Sequence, residues 1–526
     1  MTLSVQPCDE TVIRATPVAA PCDAGRKRWI LAATVLGSTL AFIDGAAVNV
    51  AMPAIERDLG ASLALIQWVI NAYTLSLAAL LLIGGAAGDQ FGRRRIFIAG
   101  IVIFALASVW CGLAPNLPQL VAARTVQGIG AALLVPCSLA IIGASFEESE
   151  RGRAIGTWAG FSALAGAIGP VLGGWIVDQA SWRWIFLINP VLAVITVWIA
   201  VARVPESRDP EARPEIDWLG GLLAFAGLGL IVFGLVELPD RGIADPWVVV
   251  ALLAGGLLLA AFVWVEARAP APMMPLGLFR SRIFSGINLL TLFLYAALGG
   301  VFFVLPFLLI GVHGYSATQA GAAFLPFTIL MAGLSRWSGG LLDRFGPRLP
   351  LIVGPVVTAI GFALLAWPDT TGSFWTTFLL PLLVTGFGMT IAVAPLTTAV
   401  INAVPQHQTG VASGINNAVA RVAGLLAVAL FSALAIGGAN RAIDRYLDAT
   451  VPTAPVVSAV REAKGRLTPD LSAAQLKPED QQQAMAILRQ SMLDGIRQTL
   501  GLAALLALLG AGSVALTIRN VPKPDR

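Results

Sequence analysis

The sequence predicts an all-α polytopic membrane protein: two six-helix bundles plus two inserted helices, about fourteen spans in all. Three observations predict it. The composition is too apolar for a water-facing surface, apolar runs of bilayer length follow one another along the chain, and one charged turn occurs twice. Of the 526 residues, 57% are hydrophobic and 12% charged, and the mean hydropathy is +0.80. A soluble domain carries about a quarter charged residues, and a surface as poor in charge as this one is stable only against lipid. The net charge of +4 does not describe a nucleic-acid surface, because the basic residues stand in short clusters between apolar runs. The lipid bilayer is therefore an expected partner and nucleic acid is not.

A helix crosses a bilayer core of roughly 30 Å with about 20 residues at 1.5 Å each. Runs of that kind have approximate cores at 29 to 51, 62 to 84, 95 to 114, 119 to 143, 153 to 177, 183 to 203, 217 to 238, 246 to 266, 284 to 311, 318 to 340, 350 to 367, 374 to 397, 410 to 437 and 499 to 518. The first of them exceeds the apolar core of a signal peptide and ends in no clear cleavage site, so it is expected to be retained. An even number of spans puts both termini on one side. Its short loops and tails hold about twenty basic residues, among them Arg93 to Arg95, against about three, Arg57, Arg183 and Arg241, on the other. The richer side is expected to be cytoplasmic.

The expected organisation is a cytoplasmic tail over 1–28, a six-helix bundle over 29–203, a linker with two inserted spans over 204–282, and five helices of a second bundle over 283–438. A long extracytoplasmic loop follows over 439–498, then the last span and a cytoplasmic tail over 499–526. Within the loop, Ala484, Ile487, Leu488, Met492 and Ile496 recur at helical spacing. That pattern suits a helix lying on the membrane surface or a solvated helix leading into the last span.

Little here points to an enzyme. Cys8, Cys22, Cys111 and Cys137 form no CxxC, and His313 and His407 are the only histidines, so no metal site is expected and histidine-based catalysis lacks material. No GxxxxGK[ST] phosphate loop is present. The loop acids Asp444, Asp448, Asp470, Glu479 and Asp480 have no histidine or cysteine partners; a membrane enzyme or lipid-handling scaffold would have to be built on them.

The repeated turn is GGAAGDQFGRRR from Gly84, with Gly85, Asp89, Gly92, Arg93, Arg94 and Arg95, matched by GGLLDRFGPR from Gly339, with Asp343, Gly346 and Arg348. Small residues let helices approach, Gly92 permits a tight turn, and a carboxylate at a helix end binds arginines or helix N-termini. In the fourth span, RTVQGIGAA places Arg124 and Gln127 in hydrocarbon, where an arginine needs a partner or a wet cavity. Asp44 lies about fifteen residues, roughly 22 Å, into the first span, and Arg124 about six residues, roughly 9 Å, from the outer end of the fourth. The two depths agree, so Asp44 is the expected partner. A lone carboxylate there binds its proton more or less tightly as a cation leaves or approaches, which is what proton exchange requires; a purely structural ion pair is the competing reading. The fifth span carries GAIGPVLGG, with Gly166, Gly169 and Gly173 on one face, Gly174 beside them, and Pro170 bending the helix.

The turn resembles the signature that major facilitator transporters carry between their second and third spans, RTVQGIGAA their arginine-bearing fourth-span motif, and GAIGPVLGG the motif of the exporting, antiporter branch. With SWRWIFLINP from Ser181 and GVASGINNAVARVAG from Gly410, the chain is similar to the fourteen-span drug:proton antiporter family, the EmrB/QacA group, over most of its length. The resemblance implies two pseudo-symmetric bundles rocking about a central cavity. It implies a small-molecule substrate exchanged against protons, a proton gradient as energy source with no cofactor, and a monomer as working unit, with periplasmic adaptor proteins as candidate partners. Candidate cavity residues are Asn49, Gln67, Trp68, Asn71, Gln127, Asn288, Tyr295, Asn416, Asn417 and Arg421. The chain departs from some members in that FLPFTILMAG, from Phe324 in the tenth span, contains no acid, which leaves the charge of the substrate open. Export of one neutral or anionic metabolite, with Arg124 or Arg421 binding it, and uptake by symport are the alternatives, the latter disfavoured by GAIGPVLGG.

Overall fold

The computed structural model describes residues 24–60, 63–208, 216–270, 272–367, 372–404, 409–450, 452–464, 471 and 476–518. Among them there is no strand, and 14 helices are long and apolar enough to cross a membrane: Gly25–Leu59, Leu65–Phe91, Arg93–Leu113, Leu117–Ser145, Arg153–Gln179, Arg183–Arg203, Trp218–Pro239, Pro246–Glu266, Arg282–Val312, Ala317–Leu334, Arg348–Leu365, Leu379–Asn402, Val411–Ala449 and Pro478–Thr517. They are called spans 1 to 14 below. The count follows from the backbone: in hydrocarbon every N–H and C=O must find a partner within the chain, and the helix supplies one locally.

Contacts divide the chain into two compact units. Unit 1 comprises Met1–Val48, Ala72–Gly229 and Gly255–Pro275; unit 2 comprises Asn49–Asn71, Leu230–Ala254 and Leu276–Arg526. Glycines in unit 1 mark close helix contacts. Gly128 of span 4 sits against the backbone of Tyr73 and the side chain of Ser76 in span 2, and a Cβ on Gly130 would come within 2.6 Å of the Phe104 nitrogen in span 3. In unit 2 the same device joins spans 9 and 13, where a Cβ on Gly299 would lie 3.1 Å from the Gly424 Cα.

In the region expected as a loop over 439–498, the described residues are largely helical. The helix bearing span 13 runs from Thr409 to Thr450, 42 residues, about 63 Å and twice a bilayer core. The helix bearing span 14 begins already at Pro478. Its Gln481 to Gln498 stretch leads without a break into the last span, with one face buried. Ala484, Ile487 and Leu488 are buried in a small core with Ile443, Leu447, Val456, Ala459, Val460 and Leu471, while the helix Ala454–Glu462 packs alongside. The apolar face packs on other helices of the chain. A salt bridge between Lys464 and Asp444 (2.5 Å) and a hydrogen bond from the Tyr446 hydroxyl to Asp494 (2.9 Å) close its edge.

Candidate functional site

Unit 1 holds a buried polar centre between spans 1, 3, 4 and 6. Asp44 of span 1 is 0% exposed and Arg124 of span 4 is 1% exposed, and the guanidinium Nη1 is paired with Asp44 Oδ2. The other carboxylate oxygen accepts from Gln127 Nε2 (3.0 Å) and Asn189 Nδ2 (3.1 Å). Gln127, one turn beyond Arg124 on the same helix face, also accepts from Arg124 Nη1 at 2.7 Å. Ser108 of span 3 receives hydrogen bonds from Asn189 (2.9 Å) and Gln127 (3.3 Å) and donates to the Phe186 carbonyl (2.8 Å). The Tyr73 ring of span 2 lies 4.2 Å beneath the Arg124 guanidinium, a cation–π contact that partly replaces lost hydration.

A buried ion pair is expensive to assemble, and removing one partner strands the other in low dielectric. Here Arg124, Gln127 and Asn189 all donate to the Asp44 carboxylate, so neither of its oxygens is left without a partner. Asn189 and Ser108 were not singled out from sequence. A polar residue inside an apolar run, as Asn189 is in SWRWIFLINP, is the signal that was there to be used.

Span 5 is closely seated on span 1 beside this centre. Gly169 faces Ala46 and the Ile43 carbonyl, and Gly173 faces Ala47, each so near that a Cβ would come within 2.8 Å. Those contacts flank Asp44 on both sides in sequence. Pro170 falls inside the helix and is buried with Gly174. Gly166, expected on the same seam, has nothing within 4 Å of a built Cβ and does not join it.

The turn after span 2 is held by a residue that the motifs did not include. Gly92 adopts φ +113°, and a Cβ there would come within 2.8 Å of the Glu206 carboxylate carbon. Glu206, 0% exposed, accepts from the Arg94 backbone N–H at 3.0 Å and from Ser207 N–H at 3.1 Å, with the Arg94 and Arg95 side chains at 3.9 and 3.7 Å. Arg94 Nη1 donates to the Val204 carbonyl at 3.0 Å. Asp89 pairs inside the turn, accepting from Arg93 Nε at 2.8 Å, while Gly85 lies against Pro136. In the second copy, Gly346 has φ +69° in open space, and Arg348 Nη2 donates to the Ala515 carbonyl at 3.3 Å. Asp343 falls on the short helix Leu341–Phe345; its side chain lies outside the described residues.

Unit 2 brings Asn288, Thr291 and Asn416 together: Asn416 Nδ2 donates to Asn288 Oδ1 (3.1 Å) and Thr291 Oγ1 (2.7 Å). Asn417 is exposed and donates to Ser413 O on its own helix (3.1 Å). Tyr295 and Arg421 are half-buried and near enough to interact electrostatically. Asn49 and Trp68 are half-buried and Gln67 is buried. Asn71 is wholly buried, with neither its oxygen nor its nitrogen hydrogen-bonded. Where FLPFTILMAG lacks an acid, Leu325, Pro326, Ile329, Leu330, Gly333, Leu334 and Leu383 line an apolar pocket of about 430 Å³.

The sequence model of the Major Facilitator Superfamily matches residues 34–428. The chain is 33% identical over 423 residues to the multidrug resistance protein Stp of Mycobacterium tuberculosis, covering 80% of this chain and 78% of that one. It is 36% identical over 432 residues to a puromycin resistance protein of Streptomyces alboniger (81% and 86% covered). With the tetracenomycin C resistance and export protein of Streptomyces glaucescens it shares 31% over 510 residues, 95% and 93% of the two chains. Its fold is similar to that of a bacterial homologue of the lysosomal transporter Spinster in an inward-facing, occupied conformation, with TM-score 0.63 at 18% identity, covering 95% of this chain and all of the other. A peptide transporter crystallised with sulfate gives TM-score 0.62 at 15% identity over 97% of this chain. The protein is thus a multi-pass membrane transporter with 14 candidate spans, not an enzyme, similar to proteins named for drug resistance and export, and it belongs to the major facilitator superfamily.

Proposed function

We propose that this protein is an efflux carrier of a bacterial cytoplasmic membrane, with both termini in the cytoplasm, that exchanges an amphiphilic small molecule against protons by alternating access. The observation that carries the proposal is the buried Asp44–Arg124 pair with its Gln127 and Asn189 donors. Asp44 is the proton-coupling carboxyl and Arg124 its counter-ion. Protonation of Asp44 from outside releases Arg124 and displaces the substrate, and loss of the proton to the cytoplasm restores the pair. The turn with Asp89, Gly92, Arg93 and Arg94 and its copy at Gly346 and Arg348 act as latches of the two states. Gly169, Pro170 and Gly173 keep span 5 tight on span 1 while Asp44 changes charge. Efflux is supported by the names of the relatives, which are resistance and export proteins. A drug, an antibiotic or a toxic metabolite with at most one positive charge fits a chain with one acid in the middle of its spans and an apolar pocket where a second is absent.

The working unit is a monomer, and the helical hairpin beyond span 13 is the surface a periplasmic adaptor would meet. Export of a neutral or anionic metabolite is the second reading, favoured by Arg421 standing half-buried near Tyr295. Efflux from energised membrane vesicles, run over a panel of cations, neutral compounds and anions, tests both. Asp44→Asn is expected to abolish gradient-driven efflux while leaving substrate binding measurable. Coupled efflux that survives this substitution, or transport that persists after the proton gradient is collapsed, removes the proton-antiport reading.

A further inference from the structure

The two inserted spans end in a pair of acids that the transport cycle above does not use. Asp217 precedes span 7 and caps it, its Oδ1 accepting from Gly220 N–H at 2.7 Å, a common place for a carboxylate because the first turn of a helix has free N–H groups. Glu266 ends span 8, is 3% exposed, and its Oε2 accepts from the Met274 backbone N–H at 3.0 Å. That leaves Asp217 Oδ2 and Glu266 Oε1, both buried and neither with a donor. Both crowd the position that a Cβ on Gly220 would take, so glycine is what lets the two carboxyl groups meet. No cation answers them among the described residues: Arg268, two residues on, donates to the Trp264 carbonyl at 3.5 Å and lies over the Trp264 ring at 4.3 Å, and Asp217 is the charged side chain acting on Glu266.

Two carboxyl groups with one orphaned oxygen each, facing across a buried gap, are satisfied together by a single hydrogen: one becomes the O–H donor, the other its acceptor, and one of two like charges is removed. We propose that Asp217 and Glu266 form a proton-binding site, separate from Asp44, that holds one shared proton at neutral pH. Its position gives it a consequence. Gly221, the next residue along span 7, packs on Ile83 of span 2, immediately before the GGAAGDQFGRRR turn. Proton occupancy therefore clasps the base of the inserted helix pair against the helix that carries the turn, on the side of the membrane where that turn lies. Loss of the proton leaves two buried carboxylates facing each other.

Infrared difference spectroscopy of the full-length protein in lipid, with exchange into heavy water, reads protonated carboxyl groups directly. The wild type is expected to show at neutral pH a carboxylic-acid C=O stretch that shifts on deuteration and is absent from both Glu266→Gln and Asp217→Asn. Each of these isosteric changes supplies the missing donor, so the fold is retained without the proton. The band is expected to persist in Asp44→Asn, which separates this site from the transport carboxyl and its fate from that of the proposed antiport. A band that survives in Asp217→Asn assigns the proton to Glu266 alone and overturns sharing. Loss of the wild-type band when sodium replaces choline at fixed pH makes the site a metal-cation site and overturns the proposal, as does the absence of any band removed by Glu266→Gln.

Discussion

The two units repeat one design in different materials. After span 2, Arg94 donates to the Val204 carbonyl; after span 10, Arg348 donates to the Ala515 carbonyl. The glycine two residues earlier has positive φ in both turns. In unit 1, however, Glu206 is buried against the glycine and binds the turn's backbone, whereas near the end of span 14 Thr517 turns its hydroxyl back to the Ser513 carbonyl. The interiors differ likewise. Unit 1 is centred on the Asp44–Arg124 ion pair, unit 2 on the amides and hydroxyl of Asn288, Asn416 and Thr291. Charge buried in low dielectric changes the energy of a helix bundle by far more than a neutral hydrogen bond does. The proposed proton coupling through Asp44 accordingly belongs to unit 1.

The sharpest way to break this comparison is Arg124→Leu set against Asn416→Leu. Stranding Asp44 is expected to cost about 3 to 5 kcal/mol, and losing the Asn416 hydrogen bonds about 1 kcal/mol, both measured by unfolding of the protein in bilayer discs. Equal losses would mean that the charge of unit 1 is not what distinguishes it. Next, Glu206→Ala removes charged hydrogen bonds worth about 1.5 to 3 kcal/mol. Thr517→Ala in unit 2 removes a local helix bond and is expected to cost well under 1 kcal/mol. Gly92→Ala forces a Cβ into both a positive φ and the Glu206 carboxylate, for about 2 to 3 kcal/mol; Gly346→Ala meets only the φ penalty, about 1 kcal/mol. Similar thermal shifts for the two alanines would show that the carboxylate yields without cost.

The smallest effect concerns acid. His313 follows span 9 in unit 2, edge-on to Phe378 at 4.9 Å, and burial together with the Arg489 charge lowers its pKa below the ordinary 6.5. The folded state therefore prefers the neutral ring. Its contribution is full above about pH 6.5 and is lost as pH falls through the lower folded value. A modest drop in thermal midpoint below about pH 6 is expected, and His313→Gln should flatten it. An unchanged slope in that variant would assign the acid sensitivity to other groups.

Depth in the membrane follows from residue counts, which is why Asp44 and Arg124 can be matched from the order of residues alone. Rotation about each helix axis does not, because in apolar runs nearly every face looks alike. That is where Gly166 parts from Gly169 and Gly173, and where Asn189 and Ser108 join the Asp44 centre unannounced. Glu206 escapes for a related reason: it lies beyond its span, in a connection whose path is set by what it packs on. The hairpin over 439–498 has a helical pattern, but the pattern alone does not say whether its apolar face meets lipid, water or other helices.

By itself the sequence determined the solvent this protein folds in, the number of helices that cross it, the repeated turns and the kind of chemistry placed at mid-depth. Hydrophobic transfer and the need to satisfy backbone hydrogen bonds in lipid leave few alternatives at that level. Only the tertiary structure decided which polar groups meet: Gln127 and Asn189 on Asp44, Glu206 under Gly92, Asp217 opposite Glu266. Those meetings depend on close approach of particular helix faces, permitted by glycines and alanines whose effect is in the space they leave empty.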